Sequence, residues 1–259
     1  MKFNDQGIII NSKEYGENSA VLKILSEDHG VCKAFVRQAK SKRLKAILQI
    51  GNIVSFSYST RLEENLGSFN HIDLVVGNSA FMFNNLKLNC VQSIFSMIDE
   101  LFLERDSCPM LFNGVSEFLF EVNNSSHKIT DIIAKYIKLE LLILQILGYG
   151  IDLSSCVVTN SDIDLQFVSP KSARAVCFEA GKAYQDKLLK LPEFIINDNA
   201  NFGEENLIDG LKLSGYFLEK FFFNDFKNKK LFFRNNIKKS LQLEYQATKP
   251  LANIELVAK

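Results

Sequence analysis

Residues 6–41 read QGIIINSKEYGENSAVLKILSEDHGVCKAFVRQAKS, and this stretch decides the fold of the N-terminal part of the chain. It holds three short runs rich in β-branched and aromatic residues, separated by turn signals at 16–19 and 27–30. Two similar runs follow, NIVSFSYS from residue 52 and SFNHIDLVV from residue 68. Five strands in roughly 70 residues is typical of a small closed barrel, so we predict a five-stranded OB-fold barrel over residues 1–78.

The connection between the third and fourth predicted strands is strongly basic, although the whole chain is neutral, with 30 basic and 30 acidic residues. Residues 33–45, here called the basic run, read KAFVRQAKSKRLK. Its basic residues are Lys33, Arg37, Lys40, Lys42, Arg43 and Lys45. A positive groove on an OB barrel can follow nucleic-acid phosphates, so we predict that these residues bind DNA, with Arg61 as a weaker candidate. The alternative is a solvated loop.

Four aromatic residues lie in the predicted strands, namely Phe35, Phe56, Tyr58 and Phe69. Aromatic side chains on an OB barrel can stack on bases. A small barrel also needs large side chains to fill its interior, and this makes a core position the better prediction for each of the four.

From about residue 78 the apolar spacing changes to three and four, which predicts a helical domain over residues 79–259 and an α+β fold overall. We predict a first helix that ends near Glu104 and a second that begins at Pro109. Three more are predicted, from about Thr130 to Leu147, from Glu204 to about Phe223, and from about Asn228 to Ile237. Residues 151–200 lose the helical period. There we expect an insertion with short strands at 156–158 and 166–168.

A second basic cluster lies near the C-terminus, where Lys229, Lys230 and Arg234 are interleaved with phenylalanines. One interpretation is an amphipathic helix with buried phenylalanines and solvated charges. The other is a second DNA contact, which would suit a protein that holds two strands.

The sequence carries no glycine-rich phosphate loop, metal-spaced His/Cys set or serine nucleophile elbow, so we expect no enzymatic activity. Its N-terminus lacks the apolar segment of a signal peptide, and the apolar stretch Leu139–Leu147 is about half a membrane span. Five scattered cysteines are typical of free thiols in a reducing cytoplasm. We therefore expect a cytoplasmic protein without membrane contact.

The chain resembles the RecO family of bacterial recombination mediators in DNA repair. The resemblance rests on the N-terminal stretch quoted above and on KLELLILQILGYGIDLSSC from residue 138. The segments FVSPKSARAVC, KLLKLP and KNKKLFFR follow in the family's order. The resemblance implies an N-terminal OB-fold, followed by a helical domain with a small zinc-ribbon-like insertion. The implied activity is binding of single- and double-stranded DNA, annealing of complementary strands and help in loading recombinase onto DNA coated with single-strand-binding protein.

The resemblance also implies two protein partners, RecR and the C-terminal tail of single-strand-binding protein. The family tends to have a basic residue beside an apolar pocket at the position of Lys138, which suits an acidic peptide ending in phenylalanine. The alternative for Lys138 is an ordinary surface charge pair with a residue three or four positions away on the same helix. Because of the DNA role, we expect the protein to be associated with the nucleoid.

The insertion departs from the family pattern at its metal site. Many members carry two Cys-x-x-Cys pairs, but here each pair keeps one cysteine, Cys156 and Cys177. Two thiolates cannot complete a tetrahedral zinc site, so we predict no zinc and no other cofactor. The competing interpretation of the whole chain is a non-enzymatic adaptor whose OB-fold binds a protein and whose basic run is incidental.

Overall fold

The structure is a computed structural model that describes residues 1–62, 65–223 and 232–248. Its N-terminal part is a closed five-stranded barrel with one short helix. The elements are β1 (Lys2–Tyr15), β2 (Ser19–Ser26), β3 (Gly30–Arg37), α1 (Lys42–Ile47), β4 (Ile53–Ser59) and β5 (Gly67–Val76). The strand order is β1-β2-β3-β5-β4, with β4 closing onto β1. The predicted OB-fold is confirmed.

Alternating side chains fill the barrel. In β4 the inward residues Val54, Phe56 and Tyr58 are buried, while the serines between them are partly exposed. This period of two is the pattern of a strand with one buried face. Helix α1 closes one end of the barrel with Ile47 and Leu48, which join the barrel core.

The middle of β1 has both faces buried, which explains its uninterrupted apolar run. Ile9 points into the barrel core, whereas Ile8 and Ile10 pack with the helical part of the molecule. The barrel is also joined to the helices by the backbone, since the Arg105 N–H donates to the Val31 carbonyl at 2.9 Å. The barrel and the helices therefore share a continuous apolar contact.

The helical part begins with α2 (Asn85–Leu101), α3 (Pro109–Asn123) and α4 (Ile129–Ile146). Pro109 is the first residue of α3, as predicted, because a proline there gives up no helical hydrogen bond. Helix α4 is buried along most of its length and contacts α2, α3 and the later helix α6 (Glu204–Leu218). It is the centre of this helical core.

The insertion contains β6 (Leu165–Val168), β7 (Ala175–Cys177), a single helical turn α5 (Phe178–Gly181) and β8 (Leu189–Lys190). The strands form a small sheet in the order β7-β6-β8. The strand predicted at 166–168 is confirmed, but the one predicted at 156–158 is wrong. There the chain turns back on itself, because the Asn160 N–H donates to the Cys156 carbonyl at 2.9 Å.

The last described helix, α7 (Phe232–Thr248), extends further than the predicted end at Ile237. Its buried residues Arg234, Ile237 and Leu241 continue the three-and-four spacing past that point. The start predicted near Asn228 lies outside the described residues. No helix in the described part of the chain is both long and apolar enough to cross a membrane.

Candidate nucleic-acid interface

The basic run crosses from a barrel strand onto the helix that closes the barrel. Arg37 is exposed at the end of β3. Ser41 then caps α1, its hydroxyl accepting from the Leu44 N–H at 3.4 Å. Because the apolar face of α1 is turned into the barrel, Lys42 and Lys45 remain exposed on the other face. The run is therefore displayed on the barrel surface.

Two members of the basic run already have acidic neighbours. Lys40 Nζ lies 3.2 Å from a carboxylate oxygen of Glu14. The Arg43 guanidinium pairs with Asp73 and donates to the Ile72 carbonyl at 3.3 Å. These pairs are largely exposed and contribute little to stability. An incoming phosphate can therefore replace either carboxylate at low cost.

Two adjoining clefts on the barrel, of about 530 and 480 Å³, share Ser59, Asn70 and His71. We call them together the barrel groove. Its basic residues are Lys2, Arg37 and Arg43, and His71 also lines it. The groove brings Arg37 and Arg43 of the basic run onto the same surface as the N-terminal strand.

Lys2, Asn70 and His71 were not predicted from the sequence. His71 has a φ of 49°, and the pairing of β5 with β4 shifts register where Ser55 and Ser57 face Asp73 and Asn70. Such a bulge turns a side chain out of the regular alternation. The Asn-His pair tolerates this backbone better than most residues, which is the one signal the sequence offered.

The core prediction for the aromatic residues is confirmed for Phe56, Tyr58 and Phe69, each at most 4% exposed. Phe35 is half-buried on the outer face of β3 and meets Tyr15 edge to face, with ring centroids 5.7 Å apart. Tyr15 is 63% exposed. In the strand pairing, Arg37 is opposite Ser19, and Ser19 is opposite Tyr15. The rings of Phe35 and Tyr15 therefore lie next to Arg37.

The remaining barrel candidates lie at the edges of this surface. Lys33 is half-buried and is opposite Lys23 in the pairing of β2 with β3. Lys23 in turn pairs with Asp99 of α2, so Lys33 lies on the side of the barrel that faces the helices. Arg61 is exposed in the connection between β4 and β5. The structure does not place Lys33 or Arg61 in the barrel groove, and Lys40, Lys42 and Lys45 are likewise not among the residues that line it.

The prediction that Arg234 contacts DNA is wrong. Its side chain is 3% exposed and pairs with the fully buried Glu140, with Nε 2.7 Å from Oε1. A second guanidinium nitrogen donates to the Leu211 carbonyl at 2.6 Å and to Ser214 Oγ at 3.2 Å. The guanidinium therefore has no surface to offer a phosphate. Lys229 and Lys230 lie outside the described residues.

Arg234 instead belongs to a buried polar network in the helical core. Glu140 accepts from the hydroxyls of Tyr136 and Ser214, and Tyr136 also contacts Ser93 at 2.8 Å. Burial and the Glu140 carboxylate raise the pKa of Tyr136 well above its usual value. The network joins α2, α4, α6 and α7, because each helix contributes at least one of these side chains.

Lys138 lies on a groove of the helical part. Two small clefts of about 230 and 330 Å³ share Lys138, Leu142 and Asp198, and we call them together the Lys138 groove. Their apolar walls come from Phe118, Leu139, Leu141, Ile151, Leu153 and Ile195. Lys138 pairs with Asp198, which is 91% exposed, and this contact lowers the pKa of Asp198. The partner lies outside α4, so the pair is not the helix-surface pair considered above.

A cleft of about 710 Å³, larger than either cleft of the barrel groove, lies beside the insertion and is acidic. Its acidic residues are Asp162, Asp164, Glu193, Glu205 and Asp209, and Lys190 is the basic residue among those that line it. Lys190 pairs with Asp209 at 3.1 Å. The negative charge of this cleft would repel nucleic-acid phosphates, which leaves the barrel groove as the better candidate.

The insertion does not supply the ligands that a tetrahedral zinc ion needs. Cys156 and Cys177 lie together, but the third neighbour is the hydroxyl of Thr159, 3.5 Å from Cys177 Sγ. Within the described residues, no three His, Cys, Asp or Glu side chains are grouped so that they could hold a metal. The residues present therefore do not fit the zinc of the family pattern.

Comparison with known proteins identifies the family. Residues 1–77 match the family model "Recombination protein O N terminal", and residues 83–230 match "Recombination protein O C terminal". A protein of Rickettsia canadensis named "DNA repair protein RecO" is 37% identical over 225 residues, covering 87% of this chain and 91% of the relative. Relatives of the same name from Rickettsia rickettsii and Rickettsia felis are 36% and 35% identical, with 87% of this chain and 92% of each relative covered. The chain belongs to the RecO family.

Proposed function

We propose that this protein is a DNA repair and recombination mediator that binds DNA through the barrel groove without base-sequence preference. The observation that carries the proposal is that Arg37 and Arg43 line the barrel groove, while Lys42 and Lys45 are exposed on the short helix that carries Arg43, in an otherwise neutral chain. Lysine and arginine that neutralise phosphates release condensed counterions, which supplies binding energy without base contacts.

The activity we propose is annealing of complementary strands and assistance in loading recombinase onto DNA coated with single-strand-binding protein. Neither step needs covalent chemistry, since base pairing supplies the free energy once two strands are concentrated. The protein is accordingly proposed to be a mediator and not an enzyme, acting in the cytoplasm at the nucleoid. RecR is a proposed partner, on the strength of the family alone.

The Lys138 groove is proposed to bind the C-terminal tail of single-strand-binding protein. It combines the ammonium groups of Lys138 and Lys135 with apolar walls, which matches an acidic peptide that ends in an aromatic residue. The peptide carboxylate would replace Asp198 at Lys138. Exchange is easy because Asp198 is almost fully exposed and its pair is weak.

DNA binding is tested by fluorescence anisotropy with labelled single-stranded DNA. The triple variant Arg37→Ala, Lys42→Ala, Lys45→Ala spares Lys40 and Arg43, whose replacement would also release a carboxylate. We expect it to bind at least about tenfold more weakly, because three phosphate contacts are lost. The matched control replaces Lys128, Lys171 and Lys187, which are exposed outside the barrel. If the two triple variants bind alike, the basic run is not part of the DNA site.

A fluorescence annealing assay, run with and without single-strand-binding protein, separates the mediator from the adaptor alternative. A mediator accelerates annealing of coated strands, and the barrel triple variant loses this effect. An adaptor with an incidental basic run leaves the annealing rate unchanged.

The tail site is tested with a labelled acidic peptide ending in phenylalanine. Lys138→Ala should weaken peptide binding several-fold, whereas Asp198→Asn should strengthen it because Lys138 loses a competing carboxylate. DNA binding should be unchanged in both variants. If both variants bind the peptide like the parent protein, the tail does not bind at Lys138.

A further inference from the structure

The two cysteines left in the insertion are held beside each other by a short set of backbone hydrogen bonds. The Val157 N–H donates to the Ala175 carbonyl at 2.8 Å, which fastens the turn after Cys156 to strand β7. The Cys156 N–H donates to the Ser161 carbonyl at 2.7 Å and closes that turn. The segments that carry Cys156 and Cys177 therefore run side by side.

Both cysteines are buried at the edge of the hydrophobic core, where polar groups of the turn contact their sulfur atoms. The Thr159 hydroxyl contacts Cys177 Sγ at 3.5 Å, and the Val158 N–H donates to Cys156 Sγ at 3.4 Å. Burial opposes ionisation of Cys156, but hydrogen bonds from the Cys177 N–H and from Thr159 outweigh it and lower the pKa of Cys156. Thr159, three residues after Cys156, contacts the Cys177 sulfur, and Val157 is bonded to the strand that carries Cys177, so the two cysteines lie on neighbouring segments as a disulfide requires.

The other cysteines differ in their surroundings. Burial raises the pKa of Cys32 to about 12 and raises that of Cys90 as well. Each of these thiols is held protonated in an apolar core, and a protonated thiol does not attack an oxidant. The insertion therefore holds the pair of thiols best suited to react with each other.

We propose that Cys156 and Cys177 form a reversible disulfide, which fastens the insertion where the family pattern would have zinc. The oxidant is a peroxide. The Cys156 thiolate attacks a peroxide oxygen, the O–O bond breaks, and a sulfenic acid and a hydroxide ion form; the hydroxide becomes water with the proton that the Cys156 thiol released to the solvent on ionising. The Cys177 thiol then attacks that sulfur, the S–S bond forms, and the hydroxyl leaves as a second water with the thiol's proton. A dithiol reverses the reaction by thiol–disulfide exchange.

The disulfide would also brace the Lys138 groove. Ile151 and Leu153 form part of its wall and precede Cys156 in the chain. Asp152 ties their segment to the segment that leads into the strand of Cys177. The Asp152 N–H donates to the Ala173 carbonyl, and the Ala175 N–H donates to the Asp152 carbonyl, both at 2.9 Å. A covalent bond between Cys156 and Cys177 would join these two segments a second time, beyond the Asp152 hydrogen bonds.

The test treats the full-length protein with hydrogen peroxide and counts thiols after unfolding in a blocking reagent. We expect the five thiols to fall to three and to return to five with dithiothreitol. Trypsin digestion without reductant should yield fragment 139–171 joined to fragment 175–182, with the loss of two hydrogen atoms.

Cys108→Ser serves as the control variant, because Cys108 is the half-buried cysteine outside the insertion. It should keep the joined fragments, whereas Cys156→Ser and Cys177→Ser should each lose them. The proposal is overturned if peroxide leaves all five thiols, if the joined fragments contain Cys108, or if Cys156 is over-oxidised without a crosslink. The parent protein alone decides these outcomes, so a variant that fails to fold does not affect the result. No DNA is involved, so the result is independent of the proposed function.

Discussion

Replacing Arg234 by methionine should be among the most destabilising changes in the helical core. The guanidinium pairs with both oxygens of Glu140, at 2.7 and 3.2 Å, and that carboxylate has no exposed surface. Methionine fills much of the same volume but leaves Glu140 charged and without its cation. Breaking a buried pair in this way costs about 3–5 kcal/mol, a large share of the stability of an ordinary domain.

The measurement is equilibrium unfolding in urea, followed by circular dichroism. The double variant Glu140→Gln, Arg234→Met should recover most of the loss, because replacing both charges by neutral groups of similar size is often close to neutral. Lys239→Met, at an exposed position of the same helix, should change the free energy of unfolding by less than about 0.5 kcal/mol. A loss below about 1 kcal/mol for Arg234→Met would refute the buried pair and return Arg234 to the DNA-binding candidates.

Two further predictions concern stability. Asp5 is buried, which opposes ionisation, but hydrogen bonds from His29, Ser26 and two backbone N–H groups outweigh this and lower its pKa from 3.8. Its folded pKa is below its unfolded one, so Asp5→Asn should cost about 1–2 kcal/mol at neutral pH, and unfolding curves should show that cost shrinking as the pH falls below about 4. Gly215→Ala should cost about 1–3 kcal/mol, because the new methyl carbon would lie 2.6 Å from the buried Arg234 guanidinium. The control Gly77→Ala meets only Leu74, at 3.9 Å, and should be nearly neutral in the same urea assay.

The barrel could be predicted from the sequence because its signals are local. Alternation along IVSFSYS, turn residues between runs and the number of strands all lie within short windows. The helix starting at Pro109 was equally readable. The barrel groove was only half predicted, because the bulge that exposes His71 depends on how β5 pairs with β4 and not on the composition of either strand.

Arg234 shows what local patterns miss. On its own helix it resembles any basic residue of an amphipathic face, and its partner Glu140 is 94 residues earlier in the chain. A signal was present in the partner, since a carboxylate in the apolar stretch Leu139–Leu147 must find a cation or a proton when that helix is buried. The neighbouring Lys138 is the more visible charge, yet it is Glu140 that organises the core.

The central claim is that the basic run, together with the barrel groove beside it, binds the phosphates of DNA, and the salt dependence of binding tests it most directly. The logarithm of the affinity for single-stranded DNA should fall linearly with the logarithm of salt concentration. For the variant lacking Arg37, Lys42 and Lys45, the slope should be shallower by about 2, since each contact to single-stranded DNA contributes about 0.7. The control variant lacking Lys128, Lys171 and Lys187 should keep the parent slope. Equal slopes and affinities for the parent and the barrel variant would contradict the claim.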